Sequence, residues 1–282
     1  MVGGYEDWLG RTAVVEDRIT LAPVRALAAT LDRDDPTPRE GDALPPLWHW
    51  LYFLPSDRQS ALGDDGHARR GGFLPTVPLP RRMWAGGRFV FVQPLCIGQA
   101  ITRTSRVADI RRKDGRSGPL VFVRVEHEIA SAAGIALREE HDIVYRDAPR
   151  PGDVPRPAAL APTDEHFART IVPDAVLLFR YSALTFNGHR IHYDHRYVRD
   201  VEGYPGLVVH GPLIATLLVD LLRRERPGAA LTSFSFKALQ PLFDTEPFTL
   251  CGRMAEGGAG AELWARDLKG ALAMQATAVF AA

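Results

Sequence analysis

The stretch His210-Gly211-Pro212-Leu213-Ile214-Ala215-Thr216-Leu217-Leu218-Val219-Asp220-Leu221-Leu222-Arg223-Arg224-Glu225-Arg226-Pro227-Gly228 decides the fold. Its apolar residues at 213, 214, 217, 218, 221 and 222 recur at helical spacing, which predicts a helix with a buried face. Pro212 suits the first turn, where a missing N–H costs nothing. Arg223, Arg224 and Arg226 suit the negative end of the helix dipole, and Pro227-Gly228 ends the run.

Outward from this helix the chain reads as strands. Phe248–Met254, Ala261–Leu268 and Ala271–Phe280 follow it, separated by turns such as Glu256-Gly257-Gly258-Ala259-Gly260. The first half has the matching set Ala100–Ile110, Leu120–Ile129 and Ile135–Tyr145. It also has a shorter helical pattern, Thr20 to Leu31, with Leu21, Val24, Leu27 and Leu31 on one face. A short repeat links the halves: Arg88-Phe89-Val90-Phe91-Val92-Gln93-Pro94-Leu95 aligns with Ser235-Phe236-Lys237-Ala238-Leu239-Gln240-Pro241-Leu242. Between them, Asp147 to Thr163 is rich in Pro and reads as a linker. The expected organisation is a domain over 1–146, a linker over 147–163 and a second domain over 164–282. The expected fold class is α+β, a double hot-dog fold: two curved antiparallel sheets, each wrapping a central helix.

Composition narrows the function. Lys+Arg and Asp+Glu are both 34 in 282 residues, so no global field draws nucleic acid or an anionic membrane. No stretch approaches the roughly 20 apolar residues of a membrane span. The two cysteines, Cys96 and Cys251, have no metal or redox spacing, and the N-terminus shows no signal or transit pattern, so a cytoplasmic setting is expected. No Gly-x-Ser-x-Gly elbow and no phosphate-binding glycine loop is present.

The chemistry is concentrated between Arg180 and Pro212. Polar, aromatic and Gly residues interleave there as a plain core does not require: Arg180-Tyr181-Ser182-Ala183-Leu184-Thr185-Phe186-Asn187-Gly188-His189-Arg190-Ile191-His192-Tyr193-Asp194, then Val209-His210-Gly211. The segment resembles the MaoC-like hydratases, whose signature Ser-Gly-Asp-x-Asn-Pro-Ile-His-x-Asp is followed by a His-Gly at the start of the central helix. His192, Asp194 and His210-Gly211 match; the signature's catalytic Asp is Asn187 here, and its Asn-Pro pair is His189-Arg190. Thr185 to Asp194, with Pro45-Pro46-Leu47-Trp48-His49-Trp50-Leu51-Tyr52-Phe53 and Pro80-Arg81-Arg82-Met83-Trp84-Ala85-Gly86-Gly87, is similar to the mesaconyl-C4-CoA (3-methylfumaryl-CoA) hydratases and the mitochondrial-type 3-hydroxyacyl-thioester dehydratases.

This resemblance implies a hydro-lyase acting on an acyl-CoA, with 3-methylfumaryl-CoA giving citramalyl-CoA as first candidate. Dehydration of 3-hydroxyacyl thioesters on CoA or a carrier protein is the alternative. A non-catalytic acyl-CoA binding protein and a hot-dog thioesterase are the readings from other classes; Asn187, which cannot be a base, argues against the thioesterase. For hydration, His192 is the candidate base. Asn187 holds the water through its side-chain amide, or acts only in a turn. Gly211 offers a backbone N–H at the positive helix end to the enolate oxygen. Arg190 and Arg180 are candidates for a substrate carboxylate, against a structural ion pair with Asp194 or Asp200. His189 and Tyr181 complete the expected substrate-binding set. Arg81, Arg82 and Lys237 are candidate partners for CoA phosphates, and Trp48, Trp50, Tyr52 and Phe53 for the end of an acyl tunnel. Asp194 is read as structural. No metal and no cofactor beyond the CoA of the substrate are expected, and a homodimer is an expectation without assigned residues. The first half lacks the His-bearing motif, which predicts one active site per chain.

Overall fold

The computed structural model describes residues 4–115, 118–148 and 158–281. Ten strands form one antiparallel sheet, ordered β1-β3-β4-β5-β2-β7-β10-β9-β8-β6. The first half contributes β1 (Thr12–Arg18), β2 (Arg81–Phe91), β3 (Ala100–Gly115), β4 (Gly118–Ser131) and β5 (Gly134–Arg146). The second contributes β6 (Phe167–Ile171), β7 (Leu231–Ala238), β8 (Phe248–Met254), β9 (Gly260–Arg266) and β10 (Leu272–Phe280). Each half repeats one order, first-third-fourth-fifth-second, and the two meet at β2 and β7, where Phe89 pairs with Phe234. This is the double hot-dog fold. All six strands expected from alternation form within a few residues of their expected bounds.

The repeat seen in sequence makes the same hydrogen bonds in both halves. Val92 and Gln93 N–H donate to the Ala136 carbonyl; Leu239 and Gln240 N–H donate to that of Ala273. Leu44 N–H donates to Leu95 O as Val209 N–H donates to Leu242 O. Leu44 thus stands where Val209 stands, so the segments after these two residues occupy equivalent places. After Val209 comes α4 (Gly211–Glu225), buried along nearly its whole length and packed on β8, β9 and β10. After Leu44 come only two short 3-10 turns, Trp48–Leu51 and Gln59–Ala61. The helix expected over Thr20 to Leu31 does form, as α1 (Leu21–Thr30), with Val24 and Leu27 buried. It follows β1 directly, as α2 (Ala175–Leu184) follows β6, and it packs on α2. The sheet of the first half therefore keeps an uncovered concave face.

Asp220, in the middle of α4 and 1% exposed, ties the halves together. It accepts from Arg33 Nη1 at 2.6 Å, Arg224 Nε at 2.8 Å and Arg169 Nη1 at 3.2 Å. A carboxylate this buried is tolerable only with such pairing. In the Pro-rich segment, residues 149–157 lie outside the described residues; Leu160 bridges to Ala271 on the second half. Among the described residues no helix is long and apolar enough to cross a membrane.

Candidate active site

The segment between α2 and α4 is folded back on itself by local hydrogen bonds. Asp174 caps α2 by accepting from Leu177 N–H, and the helix ends at Leu184. Phe186 then takes a left-handed φ of 48°, which turns the chain. Asn187 N–H donates to Ser182 O, and its Oδ1 accepts from His189 N–H at 3.0 Å. Asn187 is thus a turn residue whose amide NH₂ remains for another partner. A 3-10 turn (Arg190–His192) follows, and Asp194 caps α3 (His195–Asp200) by accepting from Tyr197 N–H. Asp194 is structural, as its place in the sequence suggests.

His192 is 7% exposed. Its Nδ1–H donates to the Val208 carbonyl at 2.7 Å, which leaves the lone pair on Nε2. Burial pushes its pKa down to about 4, opposed by that bond, so the ring is a neutral base at physiological pH. One face stacks on His210, ring centroids 3.7 Å apart at 17°. His210 is fully buried, shares a hydrogen bond with Ser182 Oγ at 2.8 Å and meets Tyr181 edge-on at 5.1 Å. The base is thereby clamped between a carbonyl and a rigid ring.

A cavity of about 1450 Å³ opens beside His192. Asn187, His189, Tyr181 and Gly211 line it as well. Gly211 is the first residue of α4, so its N–H has no intrahelical acceptor. A Cβ placed on Gly211 would meet no atom within 4 Å. The expected base, water-holder and oxyanion donor therefore face one space.

The two arginines do not behave as expected of carboxylate binders. Arg180 is exposed on α2 and does not line the cavity. Arg190 reaches the cavity wall, but its Nε and Nη2 donate to Asp194 Oδ2 at 3.0 and 2.7 Å, and its Nη1 donates to Asp64 O. Its guanidinium also lies 4.2 Å over the Tyr197 ring. Three of its five N–H groups are thus engaged by local acceptors, and Asp194 is the one of its two expected partners that the structure shows. Arg81 is similarly spent on Glu202 and Tyr204. Arg82 does line the cavity, close enough to His67 and His189 to help lower both their pKa values. Trp50, Tyr52 and Phe53 line the cavity as tunnel residues would, whereas Trp48 is core.

Sequence reasoning missed a loop of the first half. Asp65 accepts from His67 N–H with Oδ1 at 3.0 Å and pairs with His67 Nδ1 through Oδ2 at 3.1 Å. Burial alone would raise the Asp65 carboxyl, but the His67 donors hold it well below the usual range. His67 lies tilted against His189, centroids 4.1 Å apart at 46°, and His189 lies 5.5 Å from His192. Gly66, at φ +88°, abuts the Gly188 backbone so closely that a Cβ would come within 1.9 Å of its carbonyl oxygen. Arg190 N–H donates to Asp65 O. The only signal in the sequence is an Asp-Gly-His turn, with nothing to say what it touches. Asp65, His67 and His189 have ligand atoms within 4.8 Å of one another, as a metal site requires, but both Asp65 oxygens are engaged by His67.

The opposite wall belongs to the sheet of the first half. Arg103, Ser105, His127, Glu139 and His141 line the cavity there. Glu139, 3% exposed, accepts from Trp50 Nε1 at 2.9 Å, pairs with His49 Nε2 at 3.0 Å and is in hydrogen-bond contact with His141. Ser105 Oγ and His127 Nδ1 are 2.7 Å apart. Arg103 Nε is buried without a partner among the described residues, and burial lowers the guanidinium's pKa.

The family model for hydroxyacyl-thioester dehydratase type 2 matches residues 47–244. A mesaconyl-C(4)-CoA hydratase of Chloroflexus aurantiacus is 50% identical over 96% of this chain and 95% of its own. A mitochondrial hydroxyacyl-thioester dehydratase type 2 of Schizosaccharomyces pombe is 25% identical over 84% of this chain and 89% of its own. A MaoC-like dehydratase structure from Phytophthora capsici superposes with a TM-score of 0.75 at 15% identity, covering 99% of this chain and 98% of that one. A Mycobacterium tuberculosis protein described as a double hotdog fold does so at 0.60 and 14% identity, covering 99% of each chain.

Proposed function

Because the chain belongs to the hydroxyacyl-thioester dehydratase type 2 family and is a hydro-lyase, we propose that it hydrates 3-methylfumaryl-CoA to citramalyl-CoA, reversibly, with His192 as base. The observation that carries this is the buried, neutral His192, with Nδ1 spent on Val208 O, lining the same cavity as the Gly211 N–H. Nε2 takes a proton from water as its oxygen bonds to Cβ. Charge develops on the thioester oxygen, where the N-terminal N–H of a 15-residue helix stabilises it. The Asn187 amide NH₂ holds the water. Loss of water from 3-hydroxyacyl thioesters uses the same site in reverse.

The substrate is proposed from the half-identical Chloroflexus aurantiacus hydratase and from the polar cavity wall. Its free carboxylate, next to Cβ, is assigned to Arg82, the lining cation beside His67 and His189. The reaction needs no cofactor besides the CoA of the substrate. Two unpaired thiols, Cys96 and Cys251, favour a cytoplasmic setting. A homodimer belongs to the same reading.

The test is loss of enoyl-thioester absorbance on 3-methylfumaryl-CoA and crotonyl-CoA. His192→Ala should lower kcat roughly 1,000-fold on either. Arg82→Met should lower kcat/KM roughly 30-fold on the carboxylated substrate, and by no more than about threefold on crotonyl-CoA, which has no carboxylate to lose. Wild type idle on both thioesters would sink the reading. Equal Arg82→Met losses would sink the carboxylate assignment.

A further inference from the structure

The site has one feature that hydration by His192 and Gly211 does not use. The signature's catalytic carboxylate is absent, since Asn187 stands in its place, yet a carboxylate–imidazole pair reaches the same cavity from the other half of the molecule. We propose that His67, held by Asp65, is the acid that protonates Cα, an inference that rests on the hydratase reading.

The geometry has the parts of an oriented acid. Asp65 grips His67 by backbone N–H and by Nδ1, fixing the ring and leaving Nε2 for the cavity that His67 lines. The loop carrying the pair is fastened to the catalytic segment three times, through Asp65 O with Arg190 N–H, through Asp64 O with Arg190 Nη1 and through the Gly66–Gly188 contact. A side chain that only filled space would need neither the carboxylate nor the second loop.

The step balances. His192 Nε2 takes a proton from water as the oxygen bonds to Cβ. The π pair moves toward Cα and the carbonyl pair onto oxygen, giving a thioester enolate at the Gly211 N–H. The enolate re-forms the carbonyl while Cα takes the Nε2 proton of the His67 imidazolium. His192 is left charged and His67 neutral. The proton returns from His192 to His67, with the His189 ring between them. The net change is one water added.

The groups facing His67 are Asp65, His189, His192, Arg82 and Arg70. Burial lowers His67 in the ligand-free protein, and the two arginines add to this against Asp65. A substrate carboxylate at Arg82 supplies the negative charge that favours the imidazolium in the complex.

The experiment compares wild type, His67→Gln, Asp65→Asn and His192→Ala. On 3-methylfumaryl-CoA, His67→Gln should lose about 100-fold in kcat with KM changed less than about threefold. It should also lose the basic limb of the kcat–pH profile, which reports a required protonated group. Asp65→Asn should lose about tenfold and move that limb to lower pH. If His67→Gln fails to fold by circular dichroism, the Asp65→Asn profile decides alone. Incubated with citramalyl-CoA in D₂O, His192→Ala should still exchange the Cα proton, because His67 removes it, and His67→Gln should not. An active wild type beside an undiminished His67→Gln overturns this inference alone. So does loss of wild-type turnover on chelation, which would assign the trio to a metal. A wild type that hydrates neither thioester overturns the parent reading and this inference with it.

Discussion

The two halves have the same strand order and register but opposite inner faces. Ser105, His127 and Glu139 sit side by side across β3, β4 and β5; Gly252, Leu263 and Ala276 sit side by side across β8, β9 and β10. The shared hydrogen bonds at Ala136 and Ala273 make these rows equivalent. One row up, Arg103 corresponds to Leu250; one row down, His141 corresponds to Ala278. In the second half these small and apolar residues are covered by α4. In the first half the equivalent helix is missing, and the space it would fill is part of the cavity. A sheet face packed by a helix must be apolar, because an unpaired buried polar group costs several kcal/mol. A face left open to a ligand can carry polar groups, provided they satisfy one another as His49, Trp50, Glu139 and His141 do. One half has become scaffold and the other a binding wall.

The comparison can be broken by moving a residue across it. Ala276→Glu puts the counterpart of Glu139 beneath α4 with no histidine or tryptophan to meet it. We expect a loss of about 4 kcal/mol or more, read as a collapse of the urea midpoint; a variant as stable as wild type would show that the faces are interchangeable. The converse, Glu139→Ala, removes the acceptor of Trp50 and the partner of His49 and His141. It should cost about 3 kcal/mol by the same measurement. A loss below about 0.5 kcal/mol would mean that the cluster is solvated and not a satisfied network.

Acid sharpens the contrast most gently. Burial pushes His127 down to about 3 and His192 to about 4. Both are neutral in the folded chain, while in the unfolded chain they protonate near 6.5. Because the unfolded state then binds more protons, stability is full above about pH 6.5 and falls as pH drops toward the folded values. Each such histidine should contribute about 1.4 kcal/mol per pH unit. His127→Leu should make the decline of Tm between pH 6.5 and 4 shallower. An unchanged slope would show that the first-half wall is not dry.

Much of this was legible in the chain. Period-two alternation placed six strands, and helical spacing placed α1 and α4, because burial of one face imposes those periods. That His192, Asn187 and Gly211 line one cavity was legible because the local turn and the helix start bring them together within one continuous segment. For Arg180 and Arg190 the sequence left a carboxylate site and an ion pair open, because the partner of a guanidinium depends on which acceptor lies nearest; the structure pairs Arg190 with Asp194 and leaves Arg180 exposed outside the cavity. The other acceptor of Arg190, the Asp64 carbonyl, comes from the other half. The first-half counterpart of α4 was placed at Thr20 to Leu31, since any apolar helix satisfies the pattern; only the shared bonds at Leu44 and Val209 show that α1 pairs instead with α2.

The sequence by itself determined the elements, the repeat and the hydratase segment, because these depend on neighbours along the chain. The tertiary structure decided that, among the described residues, the first half has no helix over its sheet, that its polar residues form a cavity wall, and that Asp65–His67 docks on the turn around Gly188 and Arg190. Those outcomes depend on contacts between segments far apart in sequence, made through strand register and backbone approach. No local period encodes them.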